Sequence, residues 1–332
     1  MTKASIVVSS HYRNNRIFDL SNKLLNRDDC LRPFYLLKNE MESFGYSLAT
    51  DDIHSPGDSE IVIYNEMPKN TSGIVKEKSY LLIFESELIR PDNWDKKKHE
   101  LFKKIFTWND DFVDNKKYFK FNFGNTFKYT EPNLDRLKLA CLISGNKTSS
   151  HSKELYSERL KTINWFEANH KDHFDYFGIG WDKYNFGSEL VGKILNKLGA
   201  YKILPKRQTP CYRGLVDKKH ETLQNYKFNI CYENAKDITG YITEKIFDAL
   251  FAGCIPIYWG PQNIKDYVDQ DCYIDRAQFS SNKELFDHIS TINNDELFKI
   301  QENILRYLKS DKAKQFSESH FAENIADTIL TK

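Results

Sequence analysis

Two α/β domains, each with a parallel sheet covered on both faces, are the fold this sequence predicts. Three observations carry that reading. Short apolar runs ending in polar or Gly residues alternate with stretches of helical spacing, as parallel strands joined by crossover helices do. The runs fall into two series, separated by the polar, Pro-broken stretch Tyr129-Thr130-Glu131-Pro132-Asn133. Finally, 332 residues is near the upper size of a single core.

In the first series Ile6–Ser9, Ile61–Tyr64, Tyr80–Phe84 and Ile105–Trp108 read as buried strands. Leu31–Phe44 reads as a helix, with Leu31, Tyr35, Leu36, Met41 and Phe44 on its apolar side. The second series begins at Leu139–Ile143 and continues with Phe174–Phe177, Phe228–Tyr232 and Cys254–Tyr258. Helical patterns follow at 282–291, 294–309 and 316–330. The expected domains are 1–135 and 136–310, with a C-terminal helix within 311–332 packing back toward the first domain. Domains of this kind present ligands at the carboxyl ends of their strands.

Composition narrows the function classes. With 48 Lys+Arg against 47 Asp+Glu, the net charge of +1 gives no basic face for phosphate neutralisation, so no nucleic-acid partner is expected. The first ten residues hold only three apolar residues in a row, short of a signal-peptide core or a membrane span, so a cytoplasmic location is expected. The six cysteines are scattered without a CxxC pair, and no histidines have ligand spacing, so no metal site is expected. Asp269-Gln270-Asp271 is a literal DxD in a polar stretch and reads as loop. Gly178-Ile179-Gly180 reads as a tight turn after a strand, lacking the third Gly of a dinucleotide fingerprint. The Lys-rich stretch 96–120 is mostly a solvated face that leaves room for peripheral contact with a membrane, such as the inner face of the cell membrane.

The densest chemistry lies between Tyr226 and Gly260. Phe228–Tyr232 is a strand with Glu233 and Asn234 at its carboxyl end, and Thr243 can cap a helix from Glu244 to Ala252 that Gly253 stops. Free N–H groups at that helix start, with Lys245 and the Tyr241 hydroxyl, suit a diphosphate; Glu244 can accept from a ribose diol. The same residues also allow an ordinary surface pair between Lys245 and Asp248.

This segment resembles the donor signature of the α-1,3-fucosyltransferases, glycosyltransferase family ten. The matching residues are Phe228…Tyr232-Glu233-Asn234, Tyr241-Ile242-Thr243-Glu244-Lys245 and Pro256-Ile257-Tyr258-Trp259-Gly260, with Tyr232 where the family has Phe. The resemblance implies a GT-B architecture, two Rossmann-like domains facing a central cleft, with GDP-fucose in the C-terminal domain and an oligosaccharide or lipopolysaccharide acceptor in the N-terminal one. It gives Glu244 the ribose, Tyr241 and Lys245 the diphosphate, and Asn234 a part in shaping the pocket. Tyr80-Leu-Leu-Ile-Phe-Glu85-Ser86 is similar to the family segment whose Glu is the general base, with Glu87 as fallback if the strand continues. The family's phosphate-binding Arg falls on Lys153, with Arg159 an equal candidate. Chemistry of this type requires no cofactor, and Mn²⁺ or Mg²⁺ would at most stimulate it.

Overall fold

Alternation of strand and helix is realised in two parallel sheets. The structure, a computed structural model, describes residues 1–204 and 209–331. Its contacts divide the chain into one unit of Met1–Phe127, Thr239–Ile242 and Asp311–Lys332, and a second of Lys128–Ile238 and Thr243–Ser310. The first stretch ends at Phe127 rather than near 135, because Thr130, Asn133 and Arg136 are bonded into the second unit. The Thr130 hydroxyl donates to the Phe251 carbonyl (2.6 Å), Asn133 N–H to Gln301 Oε1 (2.8 Å), and Arg136 to the Ala252 and Gly253 carbonyls.

The first unit holds β1 (Thr2–Val7), α1 (Arg32–Ser43), β2 (Tyr46–Thr50), β3 (Ile61–Asn65), β4 (Ser79–Ile83), α2 (Lys96–His99), β5 (Lys104–Thr107) and β6 (Tyr118–Lys120). The strands pair in parallel in the order β2-β1-β3-β4-β5-β6. Strands β3 and β4 are apolar almost throughout because both faces are covered. Val62, Tyr64, Leu81, Ile83, Phe102 and Ile105 form one core cluster on this sheet. The edge strands β2 and β6 escaped the sequence reading; β6 is three half-buried residues, too short for a periodic signal.

The second unit holds β7 (Lys138–Ile143), α3 (Tyr156–Asn169), β8 (Phe174–Phe177), α4 (Leu190–Leu198), α5 (Lys219–Leu223), β9 (Tyr226–Tyr232), α6 (Glu244–Phe251), β10 (Ile255–Trp259), α7 (Ile264–Tyr267), β11 (Ile274–Asp275), α8 (Asn282–Thr291) and α9 (Asn294–Leu308). Its parallel order is β11-β10-β9-β7-β8. Gly178 follows β8 at φ +128°; a Cβ there would stand 1.9 Å from the Ser144 carbonyl, so only Gly fits between the ends of β7 and β8. The last helices, α10 (Asp311–Lys314) and α11 (Glu318–Leu330), group with the first unit, where α11 packs on α1 through Phe321 and Phe34, ring centroids 5.8 Å apart. Among the described residues no helix is long and apolar enough to cross a membrane.

Candidate functional site

Within the second unit, a buried carboxylate organises the segment after β9. Glu233 is fully buried directly beyond the strand, and its N–H donates to the Trp259 carbonyl at the end of β10 (2.8 Å). Thr243 donates its N–H to Oε1 (2.9 Å) and its hydroxyl to Oε2 (2.8 Å), Tyr258 its hydroxyl to Oε1 (3.1 Å), and Lys245 Nζ to Oε2 (3.1 Å). Burying a carboxylate is costly unless it is paired and hydrogen-bonded, and this one is both. Glu233 thereby ties the start of α6 to two strands.

Thr243 caps α6, its hydroxyl accepting from Lys245 N–H. Glu244 and Lys245 fill the first turn. A lysine there runs against the helix dipole, so its cost must be offset, and Glu233 beside it does so. Lys245 also lies 3.6 Å from Glu244, while Asp248 pairs with Lys219 instead (2.7 Å), so the surface pair Lys245–Asp248 does not form. Glu244 remains half-exposed. Partial burial opposes its ionisation, but Lys245, Lys219 and local hydrogen bonds hold its pKa down at about 2. It is an ionised acceptor across the physiological range.

The two basic candidates before and in α3 stand in different surroundings. Lys153 precedes the helix and is exposed, its Nζ donating to the Asp237 carbonyl (2.8 Å). Arg159 is buried, and its Nη2 donates to the carbonyls of Tyr232 (2.6 Å) and Glu233 (2.8 Å) and to Asn234 Oδ1 (3.1 Å). Asn234 in turn receives Leu155 N–H on its carbonyl (3.0 Å). The hydroxyl that distinguishes Tyr232 from Phe meets Thr162 Oγ1 at 3.4 Å, so the departure is accommodated by a partner.

Tyr241 is not gathered with these residues; Thr239–Ile242 groups with the first unit. Its buried ring lies 4.5 Å from that of Trp108, whose indole N–H donates to the Phe84 carbonyl (2.8 Å). Gly240 has φ +75°, and a Cβ there would stand 2.3 Å from the Trp108 carbonyl.

In the first unit β4 stops at Ile83 and leaves Glu85 half-buried just beyond it. Glu87 is exposed in a turn closed by Ile89 and Arg90 N–H donating to the Ser86 carbonyl (both 2.9 Å), so the strand continuation that would have favoured it is absent. The backbone of Glu85 is held on both sides. Its N–H and that of Phe84 donate to Glu66 Oε1 (2.9 and 3.0 Å), and its carbonyl receives Trp94 Nε1 (3.1 Å) and Asn93 Nδ2 (3.4 Å). Asn93 also donates to Glu66 Oε2 and accepts His99 at its carbonyl (2.6 Å). Burial pushes the Glu66 carboxyl up to about 7, against these hydrogen bonds. Sequence reasoning missed Glu66, which follows β3 just beyond Asn65 as Glu85 follows β4, the next strand in the same parallel sheet.

Asp269 and Asp271 lie in a short 3₁₀ turn, with Asp271 paired to Arg306 at 3.0 Å, consistent with loop rather than strand end. Among the described residues no group of three or more His, Cys, Asp or Glu is arranged to hold a metal ion.

Comparison with known proteins places this geometry. Residues 200–324 match the family described as glycosyltransferase family 10 (fucosyltransferase) C-term. The α-(1,3)-fucosyltransferase FucT of Helicobacter pylori is 38% identical over 120 residues, 35% of this chain and 25% of that protein. An α-(1,4)-fucosyltransferase of Arabidopsis thaliana is 37% identical over 110 residues, 31% of this chain and 27% of that one. The matched stretch thus spans about a quarter of these relatives' length. A crystal structure of α1,3-fucosyltransferase with GDP-fucose aligns over 100% of this chain and 91% of its own, with TM-score 0.53 at 14% identity, a likeness of fold. The fold is GT-B, and the family likeness to the glycosyltransferase family 10 (fucosyltransferase) C-terminal region rests on residues 200–324.

Proposed function

We propose that the protein is an inverting fucosyltransferase, moving L-fucose from GDP-β-L-fucose to a hydroxyl of GlcNAc or glucose in an oligosaccharide or lipopolysaccharide, with an α-1,3 linkage. The observation that carries the reading is the Glu233-centred start of α6, which presents Lys245 and an ionised Glu244 together inside the family-matched domain. Glu244 accepts from the ribose hydroxyls. Lys245 and the α6 N-terminus meet the diphosphate, and exposed Lys153 is the better placed of the two basic candidates to join them. Arg159, engaged with three oxygens of the 232–234 segment, positions Asn234. Tyr241 acts in this reading through its seat on Trp108.

Glu85 takes the proton of the acceptor hydroxyl as that oxygen bonds to the anomeric carbon. The bond from that carbon to the β-phosphate oxygen breaks, and GDP leaves with the electron pair; attack from the face opposite GDP turns β into α. Charge growing on GDP is met by fixed cations and dipoles, so the reaction needs no metal and should persist in excess EDTA. Because the relatives include both 1,3 and 1,4 enzymes, α-1,4 transfer is the second reading. Incubation with GDP-fucose and Gal-β-1,4-GlcNAc, Gal-β-1,3-GlcNAc or lactose, with product mass and linkage analysis, tests both. Fucose on the first and third acceptors supports 1,3 and on the second alone supports 1,4. GDP binding without product on any acceptor overturns the transferase reading.

A further inference from the structure

One helix turns its apolar side to solvent. Of α4, Leu190, Val191, Ile194 and Leu198 are 74, 67, 49 and 75% exposed, whereas Gly192 is buried and Asn196 faces inward, donating to Asn185 Oδ1 (3.1 Å) and the Gly187 carbonyl (3.2 Å). At 100° per residue the four apolar side chains span one contiguous arc of about 100° opposite the buried side, and Lys193 and Lys197 border it. Soluble proteins rarely leave a contiguous apolar stripe of this kind without a use. The helix ends at Gly199, beyond which Ile203 is also exposed. From 190 to 207 the sequence has five basic residues and no acidic one. An apolar stripe bordered by lysines is the chemistry of a helix lying in the surface of an anionic bilayer. Four of the eight lysines of 96–120 are occupied differently: Lys117 and Lys120 donate to carbonyls of their own unit, and Lys96 and Lys104 sit over Phe112 and Phe119.

We propose that the exposed face of α4 is a docking surface for an anionic lipid bilayer. The proposal does not depend on which sugar is transferred. Its test is co-sedimentation of the full chain with vesicles of phosphatidylethanolamine and phosphatidylglycerol, and with phosphatidylcholine alone. The wild type should sediment with the anionic vesicles and be released by salt. The variant Leu190→Ser/Ile194→Ser/Leu198→Ser should lose at least about tenfold in partitioning. Lys193→Gln/Lys197→Gln should lose about fivefold per charge on anionic vesicles only. These side chains are exposed, so both variants should fold and bind GDP as the wild type does. The proposal is overturned by a wild type that stays in the supernatant or by variants that sediment equally well. It also falls if the wild type is a dimer that the serine variant makes monomeric, which would give the face to a second copy.

Discussion

Two carboxylates, one in each unit, stand directly beyond parallel strands and do opposite things electrostatically. Glu233 follows β9 and receives two hydroxyls, one N–H and the Lys245 ammonium. Glu66 follows β3 and receives two backbone N–H groups and the Asn93 amide, all neutral donors, and burial drives its pKa up to about 7. The first carboxylate fixes a positive charge where an anionic leaving group would need it. The second clamps the backbone of Glu85 and keeps its own charge weak beside a neighbouring carboxylate. In the proposed function the carboxylate beside the diphosphate is paired with a lysine, whereas the one that clamps Glu85 is hydrogen-bonded by neutral donors, with the Arg90 guanidinium near enough to feel both Glu66 and Glu85.

Replacing Glu233 should have the largest structural effect. Glu233→Ala removes the acceptor of the buried Thr243 N–H and Tyr258 hydroxyl and leaves Lys245 with Glu244 as an ion-pair partner, a change that costs about 1–3 kcal/mol for each buried group left unsatisfied. Thermal unfolding should shift down by several degrees and GDP affinity should fall with it. Little change in either would show that the segment does not depend on this carboxylate. Removing the cation alone is milder. Lys245→Ala should weaken GDP binding by about 1.5–3 kcal/mol in calorimetric titration, the worth of a charge-assisted hydrogen bond, while Asp248→Asn, on a residue paired elsewhere, should leave it alone.

The other half of the comparison is read through pH. A carboxyl whose folded pKa lies above its unfolded value holds its proton in the native state while the unfolded chain has released it. Glu66 therefore contributes stability that declines as pH rises from about 4.5 to about 7, by at most about 3 kcal/mol. Denaturant titration at several pH values should show the slope, and Glu66→Gln should flatten it. An unchanged slope in Glu66→Gln would mean that the carboxyl ionises as an exposed one does.

These two sites were unequally legible in the sequence. The second unit carries its chemistry in one contiguous stretch, so Thr243, Glu244 and Lys245 could be placed on a capped helix start, and they stand there. Spacing leaves Lys153 and Arg159 alike, whereas the fold sets them apart, the first exposed and the second buried. The clamp on Glu85 is assembled from Glu66, Asn93 and Trp94, residues that are polar strand ends or loop by every local criterion and meet only when β3 and β4 pair. Tyr241 belongs to the signature by sequence yet takes its packing from Trp108, a contact that no periodicity could reveal. Strands buried on both faces were legible; the short edge strands β2, β6 and β11 were not.

The central claim is a division of labour, with the proton taken in the first unit and the nucleotide held in the second. Glu85→Gln keeps the side chain's size and removes its capacity to accept a proton. Its kcat for fucose transfer should fall by about 10²–10⁴, its affinity for GDP should stay at the wild-type value, and Glu87→Gln should behave as wild type. Near-normal kcat in Glu85→Gln would contradict the claim, as would a GDP affinity that falls in step with the rate.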